Sequence, residues 1–171
     1  DLIHYGFKVV DKAYGSGIEN IIGMKEVWTN EFIPCLIKSF SNLKIIILIR
    51  DPRAICASNF ASEINRYPFT FLCRQWRKLS KLGMHYEKMY DNVFLLKFEN
   101  LIQNPEKYSK QICEFLEIRY EESLINPNNY KDGNGDKWIQ NSSYKNSNHR
   151  FNQKVLNKWK KVLNKNQIKY I

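Results

Sequence analysis

Two arginines and a serine follow an apolar run in the first half of the chain. Residues 44–49 read KIIILI, Arg50 opens the RDPR sequence directly after them, and Ser58 lies eight residues beyond Arg50. A guanidinium is a fork of donors that fits the oxygens of a phosphate, and a serine hydroxyl adds a compact, uncharged donor. These residue types predict a phosphate clamp. The alternative is structural: Arg50 and Asp51 would cap a turn, and Ser58 would pack as a small helical residue.

The neighbouring residues indicate which elements carry this clamp. The segment 44–49, which is apolar from Ile45 onward, is typical of a parallel strand that is covered on both faces. Asp51 is a favourable helix N-cap and Pro52 a favourable first helical residue, so we expect a helix after a tight turn. In open α/β sheets, ligands bind beyond the carboxyl ends of the strands, where helix N-termini point outward. Arg50 is therefore placed at the ligand-binding edge.

The rest of the chain alternates helices and strands. Helical spacing, with Thr29 or Asn30 as the first N-cap, predicts helices at 29–40, 69–90, 104–118 and within 151–171. Apolar runs predict strands at 6–10 and 92–101. This alternation indicates an α/β architecture with a parallel sheet. The polar segment 126–149 predicts a long loop that is either disordered or a functional lid, and residues 14–23 predict a flexible glycine-containing loop.

Length and charge narrow the class of protein. The 171 residues suit one domain with a substantial core, and the net charge of +10 favours an anionic partner. That partner is a nucleic acid, a phosphorylated cofactor, an acidic polysaccharide or an anionic membrane face; alternatively, the charge belongs to an ordinary lysine-rich surface. The longest apolar run, Ile45 to Ile49, is far too short to span a membrane.

Four cysteines are spaced widely along the chain. They match neither a zinc ligand set nor a dithiol motif, so no metal site is expected. They are Cys35, Cys56, Cys73 and Cys113. Buried free thiols in a reducing, cytoplasmic setting are the expectation, although four cysteines also allow two disulfides.

Three segments of the chain resemble one enzyme family. LKIIILIRDPRAICASNF, residues 43–60, resembles the 3′-phosphate-binding segment of sulfotransferases that use 3′-phosphoadenosine 5′-phosphosulfate (PAPS), where a strand ends in arginine and a serine follows eight residues later. LLKFENLIQNPEKYSKQICEFLEI, residues 95–118, resembles the strand, acidic residue, NP turn and helix of the same family. NKWKKVLNKNQIKYI, residues 157–171, resembles its closing tryptophan helix. Together the resemblance covers roughly residues 24–171, in the family's order.

This resemblance implies a fold and a cofactor. The expected fold is a three-layer α/β sandwich like that of P-loop enzymes, with a central parallel sheet that is incomplete at the N-terminus. Arg50 and Ser58 would hold the 3′-phosphate of PAPS. Further donors would come from the loop before the last helix, where the candidates are Arg150 and Lys154; alternatively, these are two ordinary surface cations.

One part of the family pattern is missing. The family's 5′-phosphosulfate loop combines glycines, a hydroxyl residue and a Lys or Arg, and residues 1–23 contain nothing of that form. We therefore expect residues 1–171 to be the carboxyl-terminal part of a sulfotransferase domain that is inactive alone. Residues 1–23 form its ill-defined beginning.

The acceptor side has weaker candidates. GMKEVW, residues 23–28, resembles the segment where the family places its acceptor-side base, so Glu26 would be the base and Lys25 would stabilise charge. Alternatively, the two form an exposed surface pair. Other residues considered for a role are His4, His85 and His149 as bases, Trp76 and Tyr86 as adenine platforms or core residues, and Trp138 as part of a lid.

Two other classes of function remain as alternatives. The charge, with Lys, Tyr and Trp interleaved over 130–161, allows a nucleic-acid-binding module, but no helix-turn-helix, zinc or RNA-recognition pattern is present. A kinase or other phosphate-loop enzyme would share the fold. Sulfuryl transfer to the hydroxyl or amine of a small molecule or glycan, without a nucleic-acid partner, is the leading hypothesis.

Overall fold

A computed structural model describes residues 21, 23–26, 29–60, 67–126, 129–131, 135–136, 151 and 153–171. The chain divides into two compact units, 1–43 and 44–171. The predicted strand 6–10 and most of the predicted loops 14–23 and 126–149 lie outside the described residues. None of the helices in the described ranges is both long enough and apolar enough to cross a bilayer.

In the first unit, a 3₁₀ helix, Thr29–Phe32, leads into α1, Ile33–Ser39. The predicted N-cap at Thr29 or Asn30 is therefore wrong for the α-helix, because Phe32 occupies the cap position. Pro34 explains the late start, since proline lacks an N–H and is tolerated in the first turn only. Ile33 is buried, whereas the neighbouring Phe32 is 56 % exposed.

The second unit is built on two parallel strands. β1, Ile45–Ile49, pairs with β2, Val93–Lys97, in a register that runs from Ile45 opposite Val93 to Ile49 opposite Lys97. The strands are joined through α2, Pro52–Phe60, and α3, Phe69–Met89. The prediction of a parallel sheet with helical connections is confirmed.

The second strand ends earlier than predicted. Its expected end at residue 101 is wrong, because the chain turns into α4, Phe98–Gln103, directly after Lys97. Glu99 lies in the first turn of α4, where a carboxylate interacts favourably with the helix dipole. α5, Pro105–Leu116, follows with Pro105 in its first turn and Asn104 in the N-cap position, although the Asn104 side chain makes no capping hydrogen bond.

A helix packs on each face of the sheet. On one face Gly83 of α3 approaches so closely that an added Cβ would lie 3.1 Å from Leu95 Cδ1 and 3.2 Å from Ile47 Cγ2. Phe94 points to the other face, since side chains alternate along a strand, and its ring stacks on Phe115 of α5 at 5.4 Å between centroids. The expected three-layer α/β sandwich with a central parallel sheet is confirmed.

β1 is not covered on both faces among the described residues, contrary to our prediction. Ile47 faces α3 and is only 6 % exposed, whereas Ile46 and Leu48 on the opposite face are 37 % and 52 % exposed. Within the described residues the sheet has no strand beyond β1, and the stacked Phe115 of α5 lies over Phe94 of the neighbouring strand. An apolar run therefore indicated the strand correctly but not how much of it is buried.

A second layer of packing joins α2 to the end of the chain. A 3₁₀ helix, Gln153–Lys161, and α6, Lys165–Tyr170, form this last segment, and Asn164 with Gln167 completes a capping box at α6. Trp159 and Leu163 of this segment are buried, whereas Val162 is exposed. The shared core consists of Ala54, Cys56, Ala57, Leu72, Cys73, Trp159 and Leu163.

Three of the four cysteines are buried, as predicted. Cys56, Cys73 and Cys113 lie in the interior as free thiols, whereas Cys35 is exposed and contradicts the expectation of a buried thiol. Cys56 Sγ lies 4.0 Å from Cys73 Sγ, and burial raises the pKa of Cys56 to about 12. Because the reactive form of cysteine is the thiolate, Cys56 acts as a packing residue.

Candidate functional site

The strand register brings Arg50 next to Phe98. Ile49 and Lys97 are opposite each other, so the residues that follow them leave the sheet at the same carboxyl edge. Arg50 Cζ lies 4.6 Å from the centroid of the Phe98 ring, which holds the guanidinium by a cation–π contact. Trp76 Nε1 donates a hydrogen bond of 2.7 Å to the carbonyl oxygen of Arg50. The backbone and side chain of Arg50 are thus both positioned.

The guanidinium of Arg50 has unused donor capacity. Its Nε is buried and has no hydrogen-bond partner, and the side chain makes no ion pair with any described residue. A buried donor without an acceptor costs about 1–3 kcal/mol, so such groups are normally satisfied. An anionic acceptor at this edge would satisfy Arg50 and meet the N-terminus of α2, which also favours anions. The geometry fits an oxyanion such as a phosphate.

The side chain of Arg53, in contrast, already has partners. Its Nη2 lies 2.6 Å from Asp51 Oδ2, and its Cζ lies 4.1 Å from the centroid of the Trp159 ring. Asp51 Oδ1 also accepts the backbone N–H of Arg53 at 2.8 Å, which confirms Asp51 as the cap of α2. The structural alternative is therefore confirmed for Asp51 as a cap, whereas the Arg50 side chain makes no capping hydrogen bond to a described residue. The two arginines therefore differ. The charge of Arg53 is compensated by Asp51 and its side chain packs on Trp159, whereas Arg50 makes no ion pair with any described residue.

Sequence reasoning missed the residues that support Arg50. The backbone N–H of Asp51 donates to Glu99 Oε1 at 2.9 Å, which ties the turn after β1 to the first turn of α4. Phe98, Glu99 and Trp76 were not assigned these roles. The available signal was the register: once the two apolar runs pair with their ends level, Arg50 and Phe98 are neighbours.

The protonation of Asp51 is coupled to Arg53. Desolvation raises the pKa of the Asp51 carboxyl, but hydrogen bonds from the Arg53 side chain and backbone outweigh this effect and hold the pKa below its ordinary value. The ionised carboxylate therefore stabilises the fold above the unfolded-state pKa of about 3.9. This contribution is lost as the pH falls through the lower, folded-state pKa.

We expect Asp51→Asn to lower the free energy of unfolding by about 1 kcal/mol at neutral pH, because the cap oxygen remains but the ion pair is lost. The variant should also lose less stability on acidification than the parent chain. Urea denaturation at neutral pH and near pH ~3 measures both effects. Glu106→Gln is the control, since its exposed pair with Lys110 contributes little. Equal acid sensitivity of Asp51→Asn and the parent would contradict the assignment.

The other predicted phosphate ligands are less defined. Ser58 lies in α2, is exposed, and makes no hydrogen bond to Arg50. Lys154 is exposed in the 3₁₀ helix before the chain end, and Arg150 lies outside the described residues. The convergence of these groups on one phosphate stays a prediction.

Two of the acceptor-side candidates belong to the first unit. Lys25 and Glu26 are exposed and lie outside helices and strands, and their catalytic roles stay predictions. His85 is exposed on α3, and Tyr86 is a core residue at 7 % exposure. His4, His149 and Trp138 lie outside the described residues.

Comparison with known proteins gives a consistent result. A model of the sulfotransferase family matches residues 9–122. A putative protein-tyrosine sulfotransferase from Caenorhabditis briggsae is 23 % identical over 141 residues, which is 79 % of this chain and 50 % of that protein. The chain thus spans about half the length of this curated relative.

A solved structure shares the fold. The sulfotransferase domain from the curacin biosynthetic pathway superposes with a TM-score of 0.63 at 16 % identity, over 95 % of this chain and 62 % of that one. The matched region of the family model includes β1, the RDPR turn, α3, β2 and α5. The site at the carboxyl edge of the sheet therefore lies within the matched region.

Proposed function

Because this chain belongs to the sulfotransferase family, we propose that it takes part in sulfuryl transfer from PAPS to a hydroxyl or amine acceptor. The observation that carries the proposal is the unpaired, half-buried guanidinium of Arg50 at the carboxyl edge of a parallel sheet. Family membership supports this function over a nucleic-acid-binding module or a phosphate-loop kinase. A small molecule or a glycan is the proposed acceptor class.

Arg50 is the proposed ligand of the 3′-phosphate. Its buried Nε needs an acceptor, and a phosphate oxygen is the acceptor that a guanidinium binds best. Phe98 holds the guanidinium in place, while Glu99 fixes the turn through the Asp51 N–H. Ser58, Lys154 and Arg150 are proposed as additional donors to the same phosphate.

The pairing of Asp51 with Arg53 protects this anion site. A carboxylate next to a phosphate would repel it, and Asp51 directly follows Arg50. Arg53 binds both oxygens of Asp51 and is itself stacked on Trp159, so the negative charge is compensated within α2. Arg50 retains its own charge for the ligand.

When bound, PAPS supplies an activated sulfuryl group whose transfer depends on in-line placement and on dispersal of charge over its oxygens. On this proposal, Arg50 and its neighbours bind the 3′ end of that ligand. We propose that a segment of the whole protein beyond this chain supplies the groups for the 5′-phosphosulfate, because the chain matches only half of its curated relative. On this proposal, the chain alone is inactive.

The function is tested by assaying the whole protein with PAPS and panels of small-molecule and glycan acceptors. Formation of adenosine 3′,5′-bisphosphate together with a sulfated product is the expected result. Transfer from ATP with Mg²⁺ and none from PAPS would show a kinase instead. Steep, salt-dependent oligonucleotide binding without bisphosphate affinity would show a nucleic-acid-binding module.

Glu26 is the proposed general base, with Lys25 stabilising charge beside it. We expect Glu26→Gln in the whole protein to lower kcat about 10²- to 10⁴-fold, the usual contribution of a general base. The dissociation constant for adenosine 3′,5′-bisphosphate should stay unchanged. Glu31→Gln, which removes a nearby exposed carboxylate, is the matched control. Parallel losses of turnover and bisphosphate affinity in Glu26→Gln would remove Glu26 from the role of base.

A further inference from the structure

The solvent face of α3 carries a continuous row of basic side chains. Its buried residues, Leu72, Cys73, Ser80, Gly83 and Tyr86, define one side of the helix. The opposite side follows the helical spacing of three or four residues and is basic at nearly every position. Its members, which we call the α3 basic row, are Arg74, Arg77, Lys78, Lys81, His85 and Lys88, and all are exposed.

No acidic residue balances this row on the helix. The one acidic residue of α3, Glu87, lies off the row and accepts the backbone N–H of Leu95 at 3.1 Å. Arg74, Arg77, Lys81 and Lys88 make no ion pair with any described residue. The pairs Arg74–Lys78 and Arg77–Lys81 are four residues apart, and like charges at that spacing destabilise a helix. An ordinary solvated helix face would alternate the two signs.

The convex shape of the row and the apolar side chains beside it favour a lipid surface as the anionic partner. Residues 74 to 88 rise about 21 Å along the crest of a helix, which is a convex surface. A plane can touch every residue of a crest at once, so a membrane surface can meet all of these cations together. Three exposed apolar side chains, Phe71, Met84 and Met89, lie on the same helix at 36 %, 45 % and 56 % exposure. Apolar groups beside cations suit the headgroup region of a membrane.

We propose that the α3 basic row binds the domain to an anionic lipid surface. The contact is peripheral: the cations meet lipid headgroups, and Met84 and Met89 enter the interfacial layer. Each Lys or Arg near such a surface strengthens binding about fivefold, so Arg74, Arg77, Lys81 and Lys88 together give a substantial attraction. The proposal is independent of sulfuryl transfer, because α3 covers the sheet face away from α5 and its row points to solvent.

The test is cosedimentation of the chain with vesicles of phosphatidylcholine, with and without phosphatidylserine. We expect binding only to the vesicles that contain phosphatidylserine, weakening as salt is raised. Combining Arg74→Gln, Arg77→Gln, Lys81→Gln and Lys88→Gln should reduce the partition coefficient by roughly several hundredfold. Met84→Ser with Met89→Ser should reduce it without changing net charge. Thermal melting followed by circular dichroism checks that each variant folds.

A control of equal charge separates a specific surface from net charge. The matched variant removes four exposed cations elsewhere: Arg119→Gln, Lys161→Gln, Lys165→Gln and Lys169→Gln. It should retain binding within a few fold of the parent chain. Equal losses in the two quadruple variants would overturn the proposal, as would failure of the parent to bind phosphatidylserine. Binding to heparin or an oligonucleotide but not to vesicles would assign the row to a polymer instead.

Discussion

Arg50→Ala should weaken the binding of adenosine 3′,5′-bisphosphate to the whole protein by about 2 to 4 kcal/mol, the range for a charge-assisted contact to a desolvated anion. This is about 30- to 1,000-fold in Kd. The physical reason is the buried Nε, which has no acceptor among the described residues and gains one when the phosphate binds. Isothermal titration calorimetry measures the change directly.

The same variant should leave the fold nearly as stable as before. Losing the contact with Phe98 costs about 0.5 to 1 kcal/mol, whereas removing a buried unsatisfied donor relieves a comparable penalty. Arg50→Ala should therefore lower the affinity for the bisphosphate without a comparable loss of folding stability. Arg50→Lys should fall between the parent and alanine in affinity, because it keeps the charge but loses the fork.

Two controls make the assignment specific to the 3′-phosphate. Arg119→Ala removes an exposed arginine and should bind the bisphosphate like the parent. Adenosine 5′-monophosphate lacks the 3′-phosphate, so its affinity should be similar in Arg50→Ala and the parent. If Arg50→Ala weakened both nucleotides equally, the guanidinium would not be the 3′-phosphate ligand. Failure of this result leaves the lipid-surface proposal for α3 unaffected.

The sequence predicted the local part of the site well. Apolar β-branched residues, an aspartate cap and a proline at the first helical position each influence the conformation of only a few neighbouring residues. Over 44–60 these local signals all favour the same strand, turn and helix. The observed β1, Asp51 cap and α2 follow from them. The parallel sheet was likewise predictable, because strands alternate with helices.

Contacts between distant segments were not predictable in the same way. The stacking of Arg53 on Trp159 joins α2 to the last part of the chain, and no local pattern specifies it. The exposure of Ile46 and Leu48 depends on which elements cover the strand, not on its composition. The sequence shows Glu99 as an acidic residue after the strand, but its bond to the Asp51 N–H requires the two strand ends to be level.

Trp159→Ala should lower the free energy of unfolding by about 3 to 5 kcal/mol, as expected when a large buried aromatic residue is truncated. Trp159 is 9 % exposed and packs with Ala57 and Leu72 in the core between α2, α3 and the chain end. It also carries the guanidinium of Arg53 at 4.1 Å. Urea denaturation followed by circular dichroism gives the change from the shift in midpoint.

Variants that retain part of the side chain keep this prediction testable if Trp159→Ala does not fold. Trp159→Phe keeps an aromatic face under Arg53 and should lose clearly less folding stability than Trp159→Ala. Val162→Ala changes an exposed apolar position in the same segment and should lose under about 1 kcal/mol. A double-mutant cycle of Arg53→Ala with Trp159→Phe should show little coupling, because phenylalanine preserves the cation–π contact. If Trp159→Phe, Val162→Ala and Trp159→Ala all lowered the free energy of unfolding by the same small amount, the Trp159 side chain would not anchor α2. The contact between Trp159 and Arg53 would then result from the fold without stabilising the turn that holds Arg50.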